Sequence, residues 1–422
     1  MPTRPARSTE APLPAGTTVP AEPLRILHVF PDPYLHSPAN GLSTCVWELS
    51  AAQRELGHRA TIHAAPGDAV RLEQMRARYP GSHVIVSPVV GPRALGYSPA
   101  AERWARSEEG SGFDVLHQHG LWPAFSRMTS VWRERHHRPT VIALHGLLGH
   151  SALQYSRWKK RLALATWAGT NLEEASCLQV SSETEVSGLR DLGLRNPIAV
   201  IANGVHERWL RSTGDGARFR ETYGIPGEGR ILLFLSRIHP SKGLLMMVEA
   251  MGREREALRD WRAVVAGPVE RPEYLEEVRR RAEELGLQDR LHYTGTLLDQ
   301  AKRDAFAAAD LFALPTVFDN FAIVIAEAAG AGVPVITTRA ALPWHILERE
   351  RSGWWVSPDV AGIAGALREA VSLPRVELRE RGRRGMALIE RSYLWSHAAH
   401  RSIRLYQWLA GDAVRPEFVV LR

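Results

Sequence analysis

The sequence predicts an α/β protein made of two Rossmann-like halves, each a doubly wound parallel sheet, facing one another across a cleft. Three observations carry this expectation. From Leu24 onward, short aliphatic or β-branched runs alternate with longer amphipathic ones, the pattern of parallel strands covered by helices. The 422 residues, 45% of them apolar, are enough for two cores. A polar, glycine-rich stretch, His206–Arg230, containing STGDG and IPGEG, interrupts the alternation near its middle.

Taken in order, Met1–Pro23 is rich in Pro, Ala, Thr and Arg, lacks an apolar signal core, and reads as a disordered leader. The first half, residues 24–205, offers strands at Leu24–Phe30, Ala60–Ala64, His83–Val86, Asp114–His119, Thr140–His145, Cys177–Val180 and Ala199–Ile201. After the linker, residues 231–392 offer Ile231–Ser236, Arg262–Ala266, Leu291–Thr294, Leu311–Leu314, Val333–Thr337 and Trp354–Val356. Residues 393–422 close the chain with a helix over Tyr393–Leu409 that could pack back across the first half, and a tail at Val419 and Val420 that the pattern does not place.

Composition narrows the function classes. Lys and Arg outnumber Asp and Glu 53 to 46, which favours acidic ligands or an anionic surface. No helix-turn-helix, finger or aromatic RNA platform accompanies that charge, so nucleic acid is not the expected partner. Two cysteines, Cys45 and Cys177, exclude a disulfide scaffold and form no CxxC pair, and a reducing cytoplasm is the natural setting. No run of eighteen apolar residues exists to span a membrane.

The most informative segment is Pro315–Thr338. A helix is expected over Phe321–Ala329, capped by Asp319 or Asn320, with Gly330 and Gly332 allowing a tight exit into the next strand. Asp319 and Glu327 then stand at the mouth and in the body of one helix. Its start offers partial positive charge and free amides for phosphate or hydroxyl oxygens, and its carboxylates suit sugar hydroxyls. An acidic cap and a structural glutamate is the alternative. Arg237 and Lys242 follow the strand that opens the second half, where ligands of open α/β sheets bind, and they suit a diphosphate. A helix-flanking basic loop is the other reading.

In the first half, Pro38–Ser43 opens a helix running to about Leu56, with Gly41 permitting close approach of the backbone to a ligand. His117 and His119 alternate with Gln118 on a strand, so their rings share one side. A metal pair would need further ligands that no Cys or acidic cluster supplies. A metal pair, packed core histidines and a site residue compete, with His119 nearer the strand mouth. Trp122 either stacks on a sugar ring or packs in the core, and His145 lies at another strand mouth on the acceptor side. The basic run Tyr155–Trp167 either rests on an anionic membrane or packs its apolar side inward.

Taken together, LSRIHPSKG, VVAGP, LHYTGTL, AADLFALPTVFDNFAIVIAEAAGAGVPVITT and GWWVSP, with HQHGLW and IANGV in the first half, strongly resemble the family 4 glycosyltransferases. These are retaining enzymes of the GT-B fold, and the resemblance runs from Leu24 to about Leu409. It implies that Arg237 and Lys242 neutralise a donor diphosphate and that Glu327 grips the nucleotide ribose. Asp319 matches the first acid of the family's Glu-x7-Glu signature, near the donor sugar. The amides of Asn320, Phe321 and Ala322 would face sugar and phosphate oxygens, Gly41 would meet the donor phosphate, and His119 would be the site histidine. Two positions depart from the family, which usually has Glu at Asp319 and Gly at Ala322.

The resemblance implies retaining, metal-independent transfer of a sugar from a nucleotide diphosphate co-substrate, a UDP- or GDP-sugar, with no bound cofactor. The acceptor would be a saccharide or lipid-linked saccharide hydroxyl, in cell-surface polysaccharide or glycoconjugate synthesis. A nucleotide-sugar epimerase on the same fold and a non-catalytic saccharide- or nucleotide-binding protein are the rival readings.

Overall fold

The computed structural model describes residues 22–30, 41–65, 69–149, 152–153, 156–210, 214–227 and 229–421. Nearly all of the expected leader, and Pro38–Asn40 of the first glycine-rich loop, lie outside the described residues.

In the first half, β1 (Arg25–Phe30), β2 (Arg59–Ala64), β3 (His83–Val86), β4 (Val115–His119), β5 (Thr140–Ala143), β6 (Cys177–Val180) and β7 (Ile198–Val200) run parallel. Their order is β7-β6-β5-β4-β1-β2-β3. In the second, β8 (Arg230–Leu235), β9 (Trp261–Ala266), β10 (Leu291–Gly295), β11 (Leu311–Leu314), β12 (Val335–Thr338) and β13 (Gly353–Val356) lie in the order β10-β9-β8-β11-β12-β13, again all parallel. The central strands are buried almost residue for residue, because helices cover both faces. In each sheet the strand order reverses beside the first strand, between β1 and β4 and between β8 and β11. That reversal leaves a crevice at the carboxyl ends of the strands, where such sheets hold ligands.

Seven helices matter for the site: α1 (Gly41–Glu55), α2 (Arg157–Ala163), α3 (Thr184–Asp191), α4 (Gly216–Thr222), α5 (Asp299–Ala308), α6 (Ile323–Gly330) and α7 (Trp395–Ala410). The stretch expected to be only a linker carries α4, which Asp215 caps by accepting from the Ala217 and Arg218 amides, both at 3.0 Å. Phe219 anchors α4 in the second core, so the free connection is shorter than the glycine content suggested.

The chain crosses back to the first half beside Gly204. There Val205 N donates to Tyr393 O at 2.8 Å and Trp395 N donates to Val205 O at 3.1 Å. Helix α7 then buries Trp395, Ala398, Ile403, Leu405 and Tyr406 in the first core, against Cys45, Leu49 and Ala52 of α1. The tail that the pattern could not place forms β14 (Val419–Val420), antiparallel to β7 at the sheet edge. Among the described residues no helix is long and apolar enough to cross a membrane.

Candidate active site

The second-half site is set by a close approach of two loops. After β8, the short turn Pro240–Lys242 is capped by His239, whose Nδ1 accepts from Ser241 N at 3.1 Å. Gly243 is left-handed, with φ 73°, and a Cβ there would sit 1.9 Å from Pro315 O, so only glycine lets this turn lie on the end of β11. Ser241 O fixes the contact by accepting from Val317 N and Thr316 Oγ1, both at 2.9 Å. The result brings Lys242 Nζ to 2.5 Å from Asp319 Oδ2, with both side chains mostly buried.

Asp319 Oδ1 also accepts from Ala322 N at 3.0 Å, which holds the turn before the following helix, while the cap residue Ala322 supplies no side-chain cap bond. Two expectations are corrected here. The helix begins at Ile323 and not at Phe321, because Ala322 is left-handed with φ 51°. The Ala322 amide is also taken by Asp319 and is not open to a ligand in this arrangement. The Asn320 and Phe321 amides make no hydrogen bond among the described residues. Phe321 itself is a core anchor: it packs on Trp344, whose Nε1 donates to Phe321 O.

Asn320 does not cap; its side chain reaches across to the first half. With its amide nitrogen turned to Glu185 on α3, it donates to the two carboxylate oxygens at 3.1 and 2.8 Å, while its oxygen accepts from Ser181 Oγ at 3.1 Å. Gly146 makes room for it, since a Cβ at Gly146 would lie 2.8 Å from Asn320 Cβ. Gly41, at the start of α1, also faces this point, with its Cβ position 3.8 Å from Ile323 Cδ1.

Arg237 and Glu327 lie in the same half but hold their own partners. Arg237 donates to both oxygens of Glu270 at 2.8 Å and is half exposed. Arg237, Lys242, Glu270 and Arg271 all act on the charge of His239, which places them in one neighbourhood. Glu327, one turn into α6, pairs with Lys302 of α5 at 2.5 Å, and that ammonium lies 5.1 Å from the centre of the Trp209 ring. Sequence reasoning missed Lys302, Glu270 and Glu185, since none belongs to a local motif and each reaches its partner through the fold.

In the first half, β5 ends at Ala143 rather than His145, and His145 takes a left-handed conformation with φ 48°. His119 Nδ1 lies 3.2 Å from His145 Nε2, and His119 Nε2 lies 2.9 Å from His28 Nδ1. His117 stacks on His119 with ring centroids 4.3 Å apart and meets Tyr406 Oη through Nδ1 at 2.6 Å. Burial holds His28 and His145 down at about 4, and burial with the neighbouring rings holds His117 and His119 well below the usual range. All four are neutral at pH 7. His28 was invisible in the sequence: it becomes a neighbour because β1 pairs with β4 in the register that sets His28 beside His117. The Trp122 ring is not an open floor, for it joins an apolar cluster and Lys160 Nζ lies over it at 5.2 Å.

Two facing parallel-sheet lobes with a crevice at the strand ends form the GT-B architecture, and the comparisons identify glycosyltransferases. Residues 40–204 match the model described as glycosyl transferase 4-like domain, and residues 215–385 match glycosyl transferases group 1. The chain belongs to glycosyltransferase family 4. Among similar proteins is the phosphatidyl-myo-inositol mannosyltransferase of Mycobacterium leprae, 26% identical over 384 residues, covering 90% of this chain and 96% of that one. Another is D-inositol 3-phosphate glycosyltransferase 2 of Catenulispora acidiphila, 28% identical over 335 residues, covering 72% and 76%. The fold is shared with Anabaena HepE, crystallised with UDP and glucose, at TM-score 0.73 and 18% identity over 91% of this chain and all of that one. Sucrose-phosphate synthase of Thermosynechococcus elongatus matches at TM-score 0.72 and 17% identity, covering 92% of this chain and all of that one.

Proposed function

We propose that this glycosyltransferase moves a sugar from a nucleotide diphosphate donor, a UDP- or GDP-sugar, to a hydroxyl of a saccharide or lipid-linked saccharide, with retention at the anomeric carbon. The observation that carries the reading is the Lys242–Asp319 pair, 2.5 Å apart at the mouth of α6 beside the unbonded Asn320 and Phe321 amides. A donor diphosphate entering there takes Lys242 from Asp319. Negative charge grows on the diphosphate as the sugar leaves, and preplaced Lys242, Arg237 and amides stabilise it more than the ground state, which lowers the barrier.

In this reading Glu327 holds the ribose, Asp319 faces the donor sugar, Gly41 lets the first lobe approach the phosphate, and His119 and His145 line the sugar-facing side. The departing phosphate assists deprotonation of the acceptor on the same face, as the family resemblance implies, and lobe closure shields the donor from water. The relatives' names, phosphatidyl-myo-inositol mannosyltransferase and D-inositol 3-phosphate glycosyltransferase, support a polyol or lipid-borne acceptor and a place in glycoconjugate or cell-surface polysaccharide synthesis.

The lipid-linked alternative gains support from α2. Trp158 and Leu162, one turn apart, are 68% and 54% exposed. Arg157, Lys159 and Arg161 beside them are exposed too, so an apolar ridge set among cations faces outward, as at an anionic membrane surface.

The test begins with thermal-shift screening against UDP, GDP, ADP and their sugars, since a ligand that binds only the folded chain raises its midpoint. Turnover of the best donor is then compared in wild type, Lys242→Ala and Glu327→Ala. Undiminished rates in both variants would remove the model. Release of an altered sugar nucleotide from donor alone would instead indicate an epimerase.

A further inference from the structure

The cleft-facing His145 ends a hydrogen-bonded chain that begins at a helix carbonyl. Ser402 Oγ on α7 lies 2.8 Å from Ala399 O, a group that can only accept, so the hydroxyl proton is committed there. Ser402 Oγ must then accept from Gln53, whose Nε2 lies 2.8 Å away and is also 3.3 Å from Tyr406 Oη. With its amide nitrogen so engaged, Gln53 presents Oε1 to His28 Nε2 at 2.7 Å, and His28 Nε2 must carry the proton. A neutral imidazole has one donor and one acceptor, so His28 Nδ1 is the acceptor. It accepts a hydrogen bond from His119 Nε2 at 2.9 Å, and His119 Nδ1 in turn accepts one from His145 Nε2 at 3.2 Å. With Ser402 donating to Ala399 O, the chain of contacts ends in a bare Nδ1 on His145, which makes no hydrogen bond among the described residues.

We propose that Gln53 and Ser402 are positioning residues that fix the tautomers of His28, His119 and His145, so that His145 Nδ1 accepts a hydrogen bond from a sugar hydroxyl in the cleft. Gln53, Ser402, His28 and His119 are buried and none of the first three faces the crevice, so their polar side chains act through His145. The strained backbone at His145, φ 48°, holds the ring at the end of the chain, next to the Gly146–Asn320 contact between the lobes. A wrong tautomer would present an N–H where an acceptor is needed, and such an inversion is known to be severe in a histidine that handles a hydroxyl.

The same three rings raise a competing assignment. His28, His117 and His119 each place a ring nitrogen within 4.8 Å of the others, and His117 Nε2 is buried without a partner. A shared metal ion would need bare lone pairs on both His28 Nδ1 and His119 Nε2. The relay requires a proton between those two atoms, so the assignments exclude each other.

The substrate role rests on the function proposed above; the tautomers do not. Ring nitrogen spectra of the full chain, labelled with 15N at histidine and recorded at pH 7.5, decide the tautomers without any activity. The expected result is a single tautomer at His28, His119 and His145, protonated at Nε2, and mixed tautomers at His119 and His145 in Gln53→Met. Ser402→Ala, a smaller change that keeps the core filled, should shift the populations in the same direction. In parallel, kcat for sugar turnover from UDP-glucose should fall about tenfold or more in Gln53→Met, while KM for UDP-glucose and Kd for UDP change less than twofold. A proton on His145 Nδ1 in wild type, unchanged spectra in both variants, or one equivalent of zinc in the purified chain would overturn the relay. Correct tautomers in a chain that turns over no sugar would count against the function alone.

Discussion

Asp319 divides its carboxylate between two neighbours, Oδ2 holding the Lys242 ammonium at 2.5 Å and Oδ1 the Ala322 amide at 3.0 Å. The first contact competes with a phosphate for Lys242; the second only holds the turn before α6. Asp319→Asn keeps an oxygen for the Ala322 amide and removes the charge. UDP affinity should therefore rise, by about tenfold if a charge-assisted bond worth roughly 1.5 kcal/mol is released, while sugar turnover falls. Titration calorimetry with UDP measures the first part, and weaker binding in the variant would contradict it.

Ala322 occupies the left-handed region at φ 51°, which costs an L-residue roughly 1–2 kcal/mol. Glycine avoids that cost but has more freedom to lose on folding, by about 0.4–1 kcal/mol. The first term is larger over most of these ranges, so Ala322→Gly should stabilise the chain by up to about 1.6 kcal/mol. A rise in the urea midpoint with unchanged slope checks it, and a fall would show that the methyl makes a needed contact.

Lys302 is the only ion-pair partner of Glu327 among the described residues, and both side chains are largely out of water. Lys302→Met should cost toward the lower end of the roughly 3–5 kcal/mol lost when a buried charge is left alone. Adding Glu327→Gln should recover part of that loss. A double-mutant cycle in urea reads the coupling, and additive losses would mean the pair is energetically idle.

Burial pushes the Glu185 carboxyl up from 4.5 to about 7, against the Ser181 and Ser182 amides, which pull it down. Between those values the folded chain holds a proton that the unfolded chain has lost. Glu185 therefore contributes stability that is present at low pH and declines as pH rises from about 5 toward 7.5, by at most about 3 kcal/mol. Glu185→Gln should flatten that part of the urea midpoint against pH. An identical slope in both proteins would remove Glu185 as its source.

On α2, Trp158→Ala with Leu162→Ala should weaken binding to vesicles containing anionic phospholipid by about a hundredfold or more, at the roughly 1.5–3 kcal/mol expected for each of the two large apolar side chains. Neutral vesicles should bind neither protein. Retained binding by the double variant would leave charge alone as the attraction.

Much of the fold was legible because parallel strands buried on both faces leave continuous aliphatic runs, such as Ile231–Leu235 and Leu311–Leu314. Strand ends were less legible where backbone geometry decides them. Ala322 and His145 both take positive φ, which no apolar pattern announces, so a helix was expected two residues early and a strand two residues long. Lys242 was expected in one site with Asp319 because it follows the strand that opens the second half, whereas the direct ion pair between them was not. Lys302, Glu185, His28 and Gln53 were not, since their partners are set by helix packing and strand register rather than by spacing along the chain.

The return of the chain after Gly204 has a consequence for synthesis. Tyr406, Ser402 and the β14 edge, all beyond residue 394, complete the core and the histidine network of a lobe whose other parts lie before residue 205. A ribosome that has made β1 to β13 still holds an unfinished first lobe, with α1 uncovered and Gln53 lacking its anchor. Loss of the segment beyond residue 394 would therefore open the amino-terminal lobe, which lies far from it in sequence.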